Sequence, residues 1–342
     1  METDLSPLRV VGGTTPVPRG SGDRNRIDLA VLIPCHNEAV SIAATVERFR
    51  RTLPSATIYV YDNRSTDGTA DIARRAGAVV RFEPLPGKGS VVRRMFGDID
   101  ADVYVMADGD NTYEAEAAPA MIQRLLDERL DMVIGIRRGV HGNAHRKGHA
   151  SGNRAFNGLY RRLFGAGFTD IFSGYRVFSH RFAKSFPAIS SGFEIETEMS
   201  VYASQLRMPV AEMDTHYAPR EEGSHSKLNT MRDGTRILSA MMLLFKEVRP
   251  MLFFGGIGVS LALLSLVLAW PLFLTWQETG LVPRLPTAVL ATGLMSLAAM
   301  SAGCGLILDS VARGRLEQKR FNYLSLRRRS PEPDGTPHRD SL

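Results

Sequence analysis

Two long stretches near the carboxyl end of the chain contain no charged residue, and they constrain the fold more than any other feature. Met251–Trp276 and Leu285–Leu308 are both apolar throughout. Each exceeds the ~20 apolar residues that a helix needs to cross a bilayer. A buried helix of a soluble protein rarely runs so far without a charge. Because only the short segment Gln277–Arg284 joins the two, we predict a hairpin of two transmembrane helices.

Basic residues flank this hairpin on both of its outer ends. Lys246 and Arg249 precede it, and Arg313 and Arg315 follow it. Because positively charged flanks stay in the cytoplasm, both termini and the large amino-terminal part are predicted to be cytoplasmic, in a multi-pass inner-membrane protein. The segment 228–250 combines an apolar stripe with a basic face. Such a helix can lie on lipid headgroups or pack on the domain, and both readings stay open.

The composition of the 342 residues indicates a folded chain and does not indicate a nucleic-acid-binding, disulfide-rich or exported protein. Hydrophobic residues make up 44% and charged residues 23%, which supports a sizeable core. The net charge is +6, but no zinc-finger spacing, aromatic RNP-like pattern or long basic run predicts nucleic-acid binding. Two cysteines, Cys35 and Cys304, give neither a disulfide framework nor a metal site. The first 26 residues lack the apolar run of a signal peptide.

Strand and helix patterns alternate with short connections after residue 26. Runs rich in β-branched and aromatic residues are followed by segments with helical periodicity. This alternation predicts an α/β domain with a mostly parallel sheet covered by helices on both faces. A Gly- and His-rich loop is predicted over 141–152, followed by further helices and an edge strand. The predicted strands are 28–34, 56–61, 79–82, 103–106 and 132–136, with the edge strand at 210–217.

Polar clusters follow three of the predicted strands, at the point where each strand ends. They are Ile33-Pro-Cys-His-Asn-Glu38, Asp62-Asn-Arg-Ser-Thr-Asp-Gly-Thr69 and Asp108-Gly-Asp110. The carboxyl ends of parallel strands meet at one edge of a sheet, where open α/β sheets bind their ligands. Three such clusters at one edge are harder to explain as ordinary turns than one cluster alone.

The pair Asp108 and Asp110 indicates a divalent metal. Two carboxylates one residue apart repel each other unless a cation lies between them. Mg²⁺ takes carboxylate oxygens and shares them with substrate phosphates. Gly109 lacks the Cβ that would crowd a diphosphate at the backbone. The alternative at this point is a polar turn, since Asp and Gly are common turn residues.

These clusters, in this order and spacing, resemble the glycosyltransferase family 2 enzymes, in particular the polyprenyl-phosphate (dolichyl-phosphate mannose synthase-like) glycosyltransferases. The resemblance runs from about Ile27 to Leu228. It implies a GT-A fold that binds a nucleotide-sugar. Four further motifs carry it: Gly87-Lys-Gly89, Gly135-Ile-Arg137, Asp170-Ile-Phe-Ser-Gly-Tyr-Arg176 and Arg220-Glu-Glu-Gly-Ser-His-Ser-Lys227.

The resemblance also implies roles for individual residues. The catalytic group is Asp110, Arg137 and Asp170, and the metal, Mg²⁺ or Mn²⁺, is held by Asp108 and Asp110. The nucleotide-sugar is bound by Pro34, Asn37, Glu38, Asp62, Lys88 and Asp108, with Asp62 accepting from the base. The acceptor phosphate is bound by Arg137, Arg146, Lys147, Ser151, Ser173, Arg176, Arg220, Ser226 and Lys227, where Arg146 and Lys147 are alternatives.

Three positions depart from the family pattern. His36 replaces a tyrosine that commonly precedes the Asn-Glu pair, and Asn63 stands where a second Asp is frequent. Thr112 occupies the place of a Gln that reaches the metal in some relatives. Outside these motifs, Glu194 and Glu196 begin a predicted helix, and we assign them a structural or positioning role.

The expected function is the inverting, metal-dependent transfer of a hexose from a UDP- or GDP-sugar to a polyprenyl phosphate in the bilayer. A homo-oligomer is compatible with the sequence. The alternatives are transfer to a lipid or sugar hydroxyl in cell-envelope polysaccharide synthesis, and a non-catalytic membrane scaffold that binds nucleotide-sugars. The predicted organisation is a disordered arm (1–26), a GT-A domain (27–227), an amphipathic juxtamembrane helix (228–250), two transmembrane helices (251–309) and a basic cytoplasmic tail (310–342).

Overall fold

Seven strands form one sheet in the computed structural model of the chain. The structure describes residues 27–138, 147–165, 167–221 and 230–327, with the side chains of 147–155 and 230–233 left out. The strands are β1 (Leu29–Cys35), β2 (Thr57–Asp62), β3 (Val79–Phe82), β4 (Val103–Met106), β5 (Met132–Arg138), β6 (Arg176–Ser179) and β7 (Val210–His216). Each of the six predicted strands lies within about two residues of an observed one.

The sheet is mostly parallel, as the alternating pattern predicts. Its strand order is β3-β2-β1-β4-β6-β5-β7. β1 pairs in parallel with β2 and β4, β2 with β3, and β5 with β7. Only β6, inserted between β4 and β5, runs antiparallel to its neighbours in the described sheet. The carboxyl ends of β1, β2 and β4 therefore lie side by side at one edge.

Ten helices accompany the sheet in the described part of the chain. Their buried positions recur at helical spacing; in the first helix these are Ile42, Val46 and Phe49. The helices are α1 (Ile42–Thr52), α2 (Thr69–Arg75), α3 (Lys88–Asp98), α4 (Ala118–Asp127), α5 (Lys147–Phe164), α6 (His180–Ser185), α7 (Ile195–Leu206), α8 (Thr230–Val248), α9 (Pro250–Thr279) and α10 (Leu285–Ser325).

Helix α5 corrects one sequence expectation. The Gly- and His-rich segment predicts a loop over 141–152, but the helix already begins at Lys147. Glycine at positions 148 and 152 costs about 1 kcal/mol each relative to alanine in a helix. The rest of the helix carries an apolar stripe that ends in the fully buried Tyr160 and in Phe164, both in the main core. Packing of that stripe outweighs the local preference for a loop.

An aromatic core fills the space between the sheet and helices α3, α6 and α7. Phe178 of β6 stacks on Phe182 at 4.8 Å between ring centroids, and Phe182 stacks on Phe186 at 5.7 Å. Phe96 of α3 meets Phe178 edge-on at 5.5 Å, and Tyr202 of α7 meets Phe186 at 5.4 Å. Such aromatic pairs add stability beyond their buried area. This core fixes α7 against the sheet close to the polar edge.

Helices α9 and α10 form the predicted hairpin. Both are long and apolar enough to cross a bilayer, with only 11% and 17% of their most apolar windows buried within the protein. Small residues allow close approach: a Cβ on Gly258 would lie 3.0 Å from the Ala298 carbonyl oxygen. The Ser265 hydroxyl donates to the Ala291 carbonyl at 2.7 Å. Small residues and hydroxyl bonds of this kind hold helices together where the hydrophobic effect is absent.

Helix α10 extends well beyond its apolar part. The sequence predicts a basic tail from residue 310, whereas the helix continues to Ser325 and its end contacts the α/β domain. The guanidinium of Arg181 lies 3.9 Å from the centre of the Tyr323 ring and donates to the Tyr323 carbonyl at 3.0 Å. The Tyr323 hydroxyl donates to Asp131. These contacts tie the hairpin of α9 and α10 directly to the domain.

Candidate active site

The polar residues that follow β1 and β2 form one hydrogen-bonded loop network. The backbone N–H of Asn37 donates to the Ser65 hydroxyl at 2.8 Å, and the Asn37 side-chain oxygen accepts from the N–H of Thr66 at 2.8 Å. The N–H of Glu38 donates to the Thr69 hydroxyl at 2.8 Å. Asn37 adopts φ of 53°, a left-handed conformation that Asn tolerates. The network fixes the two strand ends against each other.

Asp62, at the end of β2, carries a buried oxygen without a partner. The residue is 5% exposed, and its Oδ2 accepts from the N–H of Ser65 at 3.2 Å. Among the described residues no donor reaches its Oδ1. An unsatisfied buried carboxylate oxygen is costly, so it marks a position where a ligand donor would be favourable.

Asn63 shapes the loop that precedes α3. Its side-chain nitrogen donates to the carbonyls of Glu83 and Leu85 at 2.9 and 2.7 Å, and its side-chain oxygen accepts from the N–H of Gly87 at 2.8 Å. An aspartate at this position could not donate to the two carbonyls. Asn63 departs from the family pattern, but it stabilises the loop that positions Lys88 in the site.

Lys88 bridges two carboxylates at the centre of the site. Its ammonium contacts Asp108, and it lies 2.5 Å from Glu196 Oε1. The side chains of Lys88 and Glu196 are 8% and 5% exposed. Burial alone would lower the pKa of Lys88, but Asp108 and Glu196 raise it above its ordinary value. Lys88 is thus a permanent cation beside the predicted metal site.

Asp110 lies deeper than Asp108 and is also paired. Its Oδ2 lies 2.7 Å from a terminal nitrogen of Arg220, and its Oδ1 accepts from the Thr112 hydroxyl at 2.6 Å. Burial and the charge of Asp108 raise the pKa of Asp110, while Arg220 opposes the shift. Thr112 therefore contacts a predicted metal ligand.

The two carboxylates fit a hard divalent cation. Within the described residues no group of three His, Cys, Asp or Glu side chains could hold a metal, so among these residues the predicted ligands remain the pair Asp108 and Asp110. Mg²⁺ is commonly held by one or two carboxylates together with substrate phosphates and water. The donor set is therefore the one expected for a metal shared with a diphosphate.

Two glycines make room at this site, one of them in an unexpected way. A Cβ on Gly174 would lie 2.8 Å from Asp108 Oδ2 and 2.9 Å from Lys88 Nζ, so a larger residue here would make the ends of those two side chains shift. A Cβ on Gly109 would lie 2.5 Å from Cys35 Sγ. A side chain at position 109 would thus press against Cys35 of β1. That Gly109 also clears space for a diphosphate stays a prediction.

Arg137 and Asp170 form a second polar group at the end of β5. Arg137 Nε and a terminal nitrogen donate to the two carboxylate oxygens of Asp170, each at 2.8 Å. The Arg137 guanidinium also lies 5.7 Å from the centre of the Tyr217 ring. Burial would raise the pKa of Asp170, but Arg137 holds it below its ordinary value. The pair is therefore charged at neutral pH.

Ser173 and Arg176 lie behind the site instead of facing it. Both are 0% exposed. The Ser173 hydroxyl donates to the Gly135 carbonyl at 2.6 Å. Arg176 donates to the carbonyls of Ser173 and Ile171, each at 2.8 Å. Because their donors are used by the backbone, the prediction that they bind the acceptor phosphate is corrected: they hold the 171–176 loop in shape.

Two further residues contribute to the site: Glu196, to which the sequence assigns a structural or positioning role, and Tyr113, to which it assigns none. Glu196 contacts Lys88, as a positioning role would require. The Tyr113 hydroxyl accepts from the N–H of Gly174 at 2.9 Å, and its ring lies 5.3 Å from that of Tyr217. Tyr113 lies three residues after Asp110, and this proximity is the one sequence signal that could have identified it.

The structure describes only some of the remaining predicted residues. Pro34 is buried in β1, where it pairs with Tyr61 of β2. His36 is exposed, with a ring nitrogen 2.7 Å from the Asn63 carbonyl oxygen. The predicted residues Arg146, Ser226 and Lys227 lie outside the described residues, and Lys147 and Ser151 lie in α5 with side chains that are not described.

Comparison with known proteins identifies relatives of the α/β domain. The sequence profile described as "Glycosyl transferase family 2" matches residues 30–186. Glycosyltransferase AglJ of Haloferax volcanii is 34% identical over 269 residues, which cover 78% of this chain and 88% of that protein. The undecaprenyl-phosphate mannosyltransferase of Micrococcus luteus is 28% identical over 209 residues, covering 56% and 84%.

Solved structures share the fold. The glucosyl-3-phosphoglycerate synthase of Mycobacterium tuberculosis, solved with Mn²⁺, UDP and glucosyl-3-phosphoglycerate, has a TM-score of 0.54 at 19% identity. The match covers 68% of this chain and 86% of that one. At this identity the likeness concerns the fold alone, and it confirms the α/β architecture that the sequence predicts.

Proposed function

Because the chain belongs to glycosyl transferase family 2 and is a glycosyltransferase of GT-A fold, we propose that it transfers a hexose from a nucleoside diphosphate to a polyprenyl phosphate, with inversion. The observation that carries this proposal is the arrangement of two separate polar groups at one end of the sheet. One contains Asp108 and Asp110, which suit a diphosphate and its metal. The other contains Arg137, which suits a second phosphate.

The donor side of the proposal rests on Asp62, Asn37 and Glu38. The unpartnered Oδ1 of Asp62 would accept a hydrogen bond from an N–H of the base, which both uracil and guanine offer. The loop that contains Asn37 and Glu38 is held rigidly against the end of β2. A preorganised loop costs less ordering on binding, so it can contribute affinity for the nucleoside. Lys88 would add a positive charge beside the diphosphate.

Asp108 and Asp110 would hold Mg²⁺ or Mn²⁺ on the diphosphate. When bound, such an ion stabilises the negative charge that develops on the departing nucleoside diphosphate. Asp108 is 31% exposed at its side chain and Asp110 only 3%, so the open side of the pair is that of Asp108. A structure of the same fold that was solved with Mn²⁺ and UDP supports a divalent ion in this fold.

On the acceptor side, Arg137 would orient a phosphate toward the sugar. A phosphate monoester has a second pKa near 6, so at pH 7 it is mostly dianionic and needs no base to remove a proton. The buried carboxylates of the site agree with this, since Asp170 pairs with Arg137 and Glu196 with Lys88. A hydroxyl acceptor would instead call for a carboxylate poised as a general base. The name of the Micrococcus luteus relative, undecaprenyl-phosphate mannosyltransferase, also supports a phosphate acceptor.

A lipid acceptor also explains why a nucleotide-sugar enzyme carries α9 and α10. These helices would span the inner membrane, with the α/β domain on the cytoplasmic side, where nucleotide-sugars are made. The contact of Arg181 with Tyr323 near the end of α10 would hold the domain close to the membrane surface. The acceptor phosphate of a membrane lipid would then be within reach of the site.

A donor and acceptor screen tests the proposal. Purified full-length protein is incubated with a panel of UDP- and GDP-hexoses, polyprenyl phosphate and Mg²⁺ or Mn²⁺, and products are identified by mass spectrometry. We expect a hexosyl polyprenyl phosphate from at least one donor, and none in EDTA. Binding of UDP or GDP without any lipid-linked product from any donor would contradict the proposal and favour the scaffold alternative.

A further inference from the structure

Asp110 has protein partners on both of its carboxylate oxygens. Its Oδ2 lies 2.7 Å from the guanidinium of Arg220. Its Oδ1 accepts from the hydroxyl of Thr112 at 2.6 Å and lies 3.3 Å from the backbone nitrogen of the same residue. The side chain is only 3% exposed, so water does little to screen the ion pair. Arg220 and Thr112 therefore already contact both of the oxygens that a metal ion would bind.

The other predicted metal ligand, Asp108, is paired in a different manner. Its partner Lys88 also contacts Glu196 at 2.5 Å, and the Lys88 side chain is 8% exposed. Lys88 would therefore keep a buried carboxylate even if Asp108 turned toward a metal. The side chain of Arg220 is 28% exposed and is therefore the more accessible of the two cations. The two cations thus differ in burial, and Arg220 is the one that can exchange its carboxylate partner for another anion.

We infer that Arg220 is an internal counter-ion of Asp110, which a divalent metal displaces and a donor diphosphate then takes over. This inference rests on the metal and donor sites of the proposed function. It goes further by making metal binding and nucleotide binding mutually dependent through Arg220, which it assigns to the donor diphosphate instead of the acceptor phosphate that the resemblance implies. A planar guanidinium that pairs with a carboxylate also matches the geometry of a phosphate, so it can change partners without losing its hydrogen bonds.

The charges of the cluster support this exchange. The carboxylates of Asp108, Asp110 and Glu196 carry three negative charges. Lys88 and one divalent ion together would neutralise them. Arg220 would then lie close to a divalent cation, and repulsion from the metal would add to the cost of keeping it there. A nucleoside diphosphate sugar brings two negative charges to the same place. Metal without nucleotide therefore brings two cations together beside Asp110, whereas the diphosphate offers Arg220 a new anionic partner, so by linkage each ligand strengthens the binding of the other.

Manganese binding to full-length protein in detergent tests the inference. Free Mn²⁺ is measured by electron paramagnetic resonance, first without nucleotide and then with saturating UDP or GDP. Without nucleotide, Arg220→Gln is expected to bind Mn²⁺ at least about tenfold more tightly than wild type, because it removes one close competing charge. Arg220→Lys retains that charge and should bind Mn²⁺ as weakly as wild type. The control is Arg74→Gln, which removes an exposed arginine of a surface ion pair on α2.

With nucleotide present, wild type should gain Mn²⁺ affinity, and the ratio between Arg220→Gln and wild type should fall or reverse. Thermal unfolding confirms that each variant is folded. Equal Mn²⁺ affinity of Arg220→Gln and wild type without nucleotide would overturn the inference, provided that Asp110→Asn binds less Mn²⁺ than both. If Asp110→Asn binds Mn²⁺ as well as wild type with nucleotide, the metal site of the proposed function fails, and the inference with it.

Discussion

The guanidinium of Arg137 and the carboxylate of Asp170 face each other with two parallel hydrogen bonds of 2.8 Å. The pair joins β5 to the loop before β6, and Tyr217 lies against the guanidinium. Such a bidentate pair sets the plane of the guanidinium as well as its position. In our account Asp170 is a positioning residue, which presents the outer edge of Arg137 to the acceptor phosphate.

Loss of Arg137 should separate binding of the donor from transfer. We expect Arg137→Ala to lower kcat/KM by about 100-fold or more, because positioning of the reactants is lost, with the dissociation constant of the nucleotide-sugar within about threefold of wild type. Asp170→Asn, which keeps the shape of the partner but removes its charge, should give a smaller loss. Steady-state kinetics and calorimetric donor binding measure both effects. A parallel loss of donor affinity in Arg137→Ala would place this residue on the donor side.

Loss of Asp62 should have the opposite pattern. Asp62→Ala removes the buried carboxylate that is proposed to accept a hydrogen bond from the base. The dissociation constant of the nucleotide should therefore rise by about tenfold or more. Asp71→Ala on α2, an exposed residue paired with Arg74, is the matched control and should leave it unchanged. Titration of each protein with UDP and with GDP measures the change. Unaltered affinity for both nucleotides in Asp62→Ala would refute the assignment of the base site.

Arg176 should matter for stability more than for binding. Arg176→Met leaves the carbonyls of Ser173 and Ile171 buried without donors, and each such group costs about 1–3 kcal/mol. We therefore expect a lower unfolding temperature, whereas Arg74→Met should change it little. Donor affinity, measured well below the unfolding temperature, should stay close to that of wild type. A fully stable Arg176→Met variant that has lost only acceptor binding would restore the original sequence prediction.

The membrane arrangement can be tested by labelling single cysteines in intact cells. The starting protein is Cys304→Ser, because Cys304 is exposed on α10, whereas Cys35 is buried. We expect Thr279→Cys, near the end of α9, to react with an impermeant thiol reagent, since the α9–α10 join faces outward in this topology. Ser325→Cys, at the end of α10, should react only after the cells are opened. The reverse pattern would place the α/β domain outside the cytoplasm.

The sheet and the ends of its strands could be predicted because their signals are local. A buried run such as Val103–Met106 reads as a strand by composition, and the polar residues that follow it must lie at its carboxyl end. The same reasoning identified Asp62 and Asp108. This reasoning does not need the strand order. It needs only the rule that parallel strands end at the same edge of the sheet.

The direction in which a loop side chain points could not be predicted in the same way. Ser173 and Arg176 belong to a motif that also contains Asp170, yet only Asp170 faces Arg137. The difference comes from tertiary hydrogen bonds that a sequence pattern does not record. The course of α10 is a similar case. Charges after Leu308 indicate the end of a membrane span, but they do not show that Tyr323 reaches Asp131 in the domain.

The most direct test of the whole account compares two acceptors that differ only in their phosphate. Full-length protein, the active donor and divalent metal are supplied with polyprenyl phosphate or with the corresponding polyprenol, and the initial rate of hexose transfer to lipid is measured for each. The account predicts transfer to polyprenyl phosphate only, with the rate abolished by EDTA and reduced by orders of magnitude in Asp110→Asn. Equal transfer to the polyprenol, or undiminished transfer in EDTA, would contradict it.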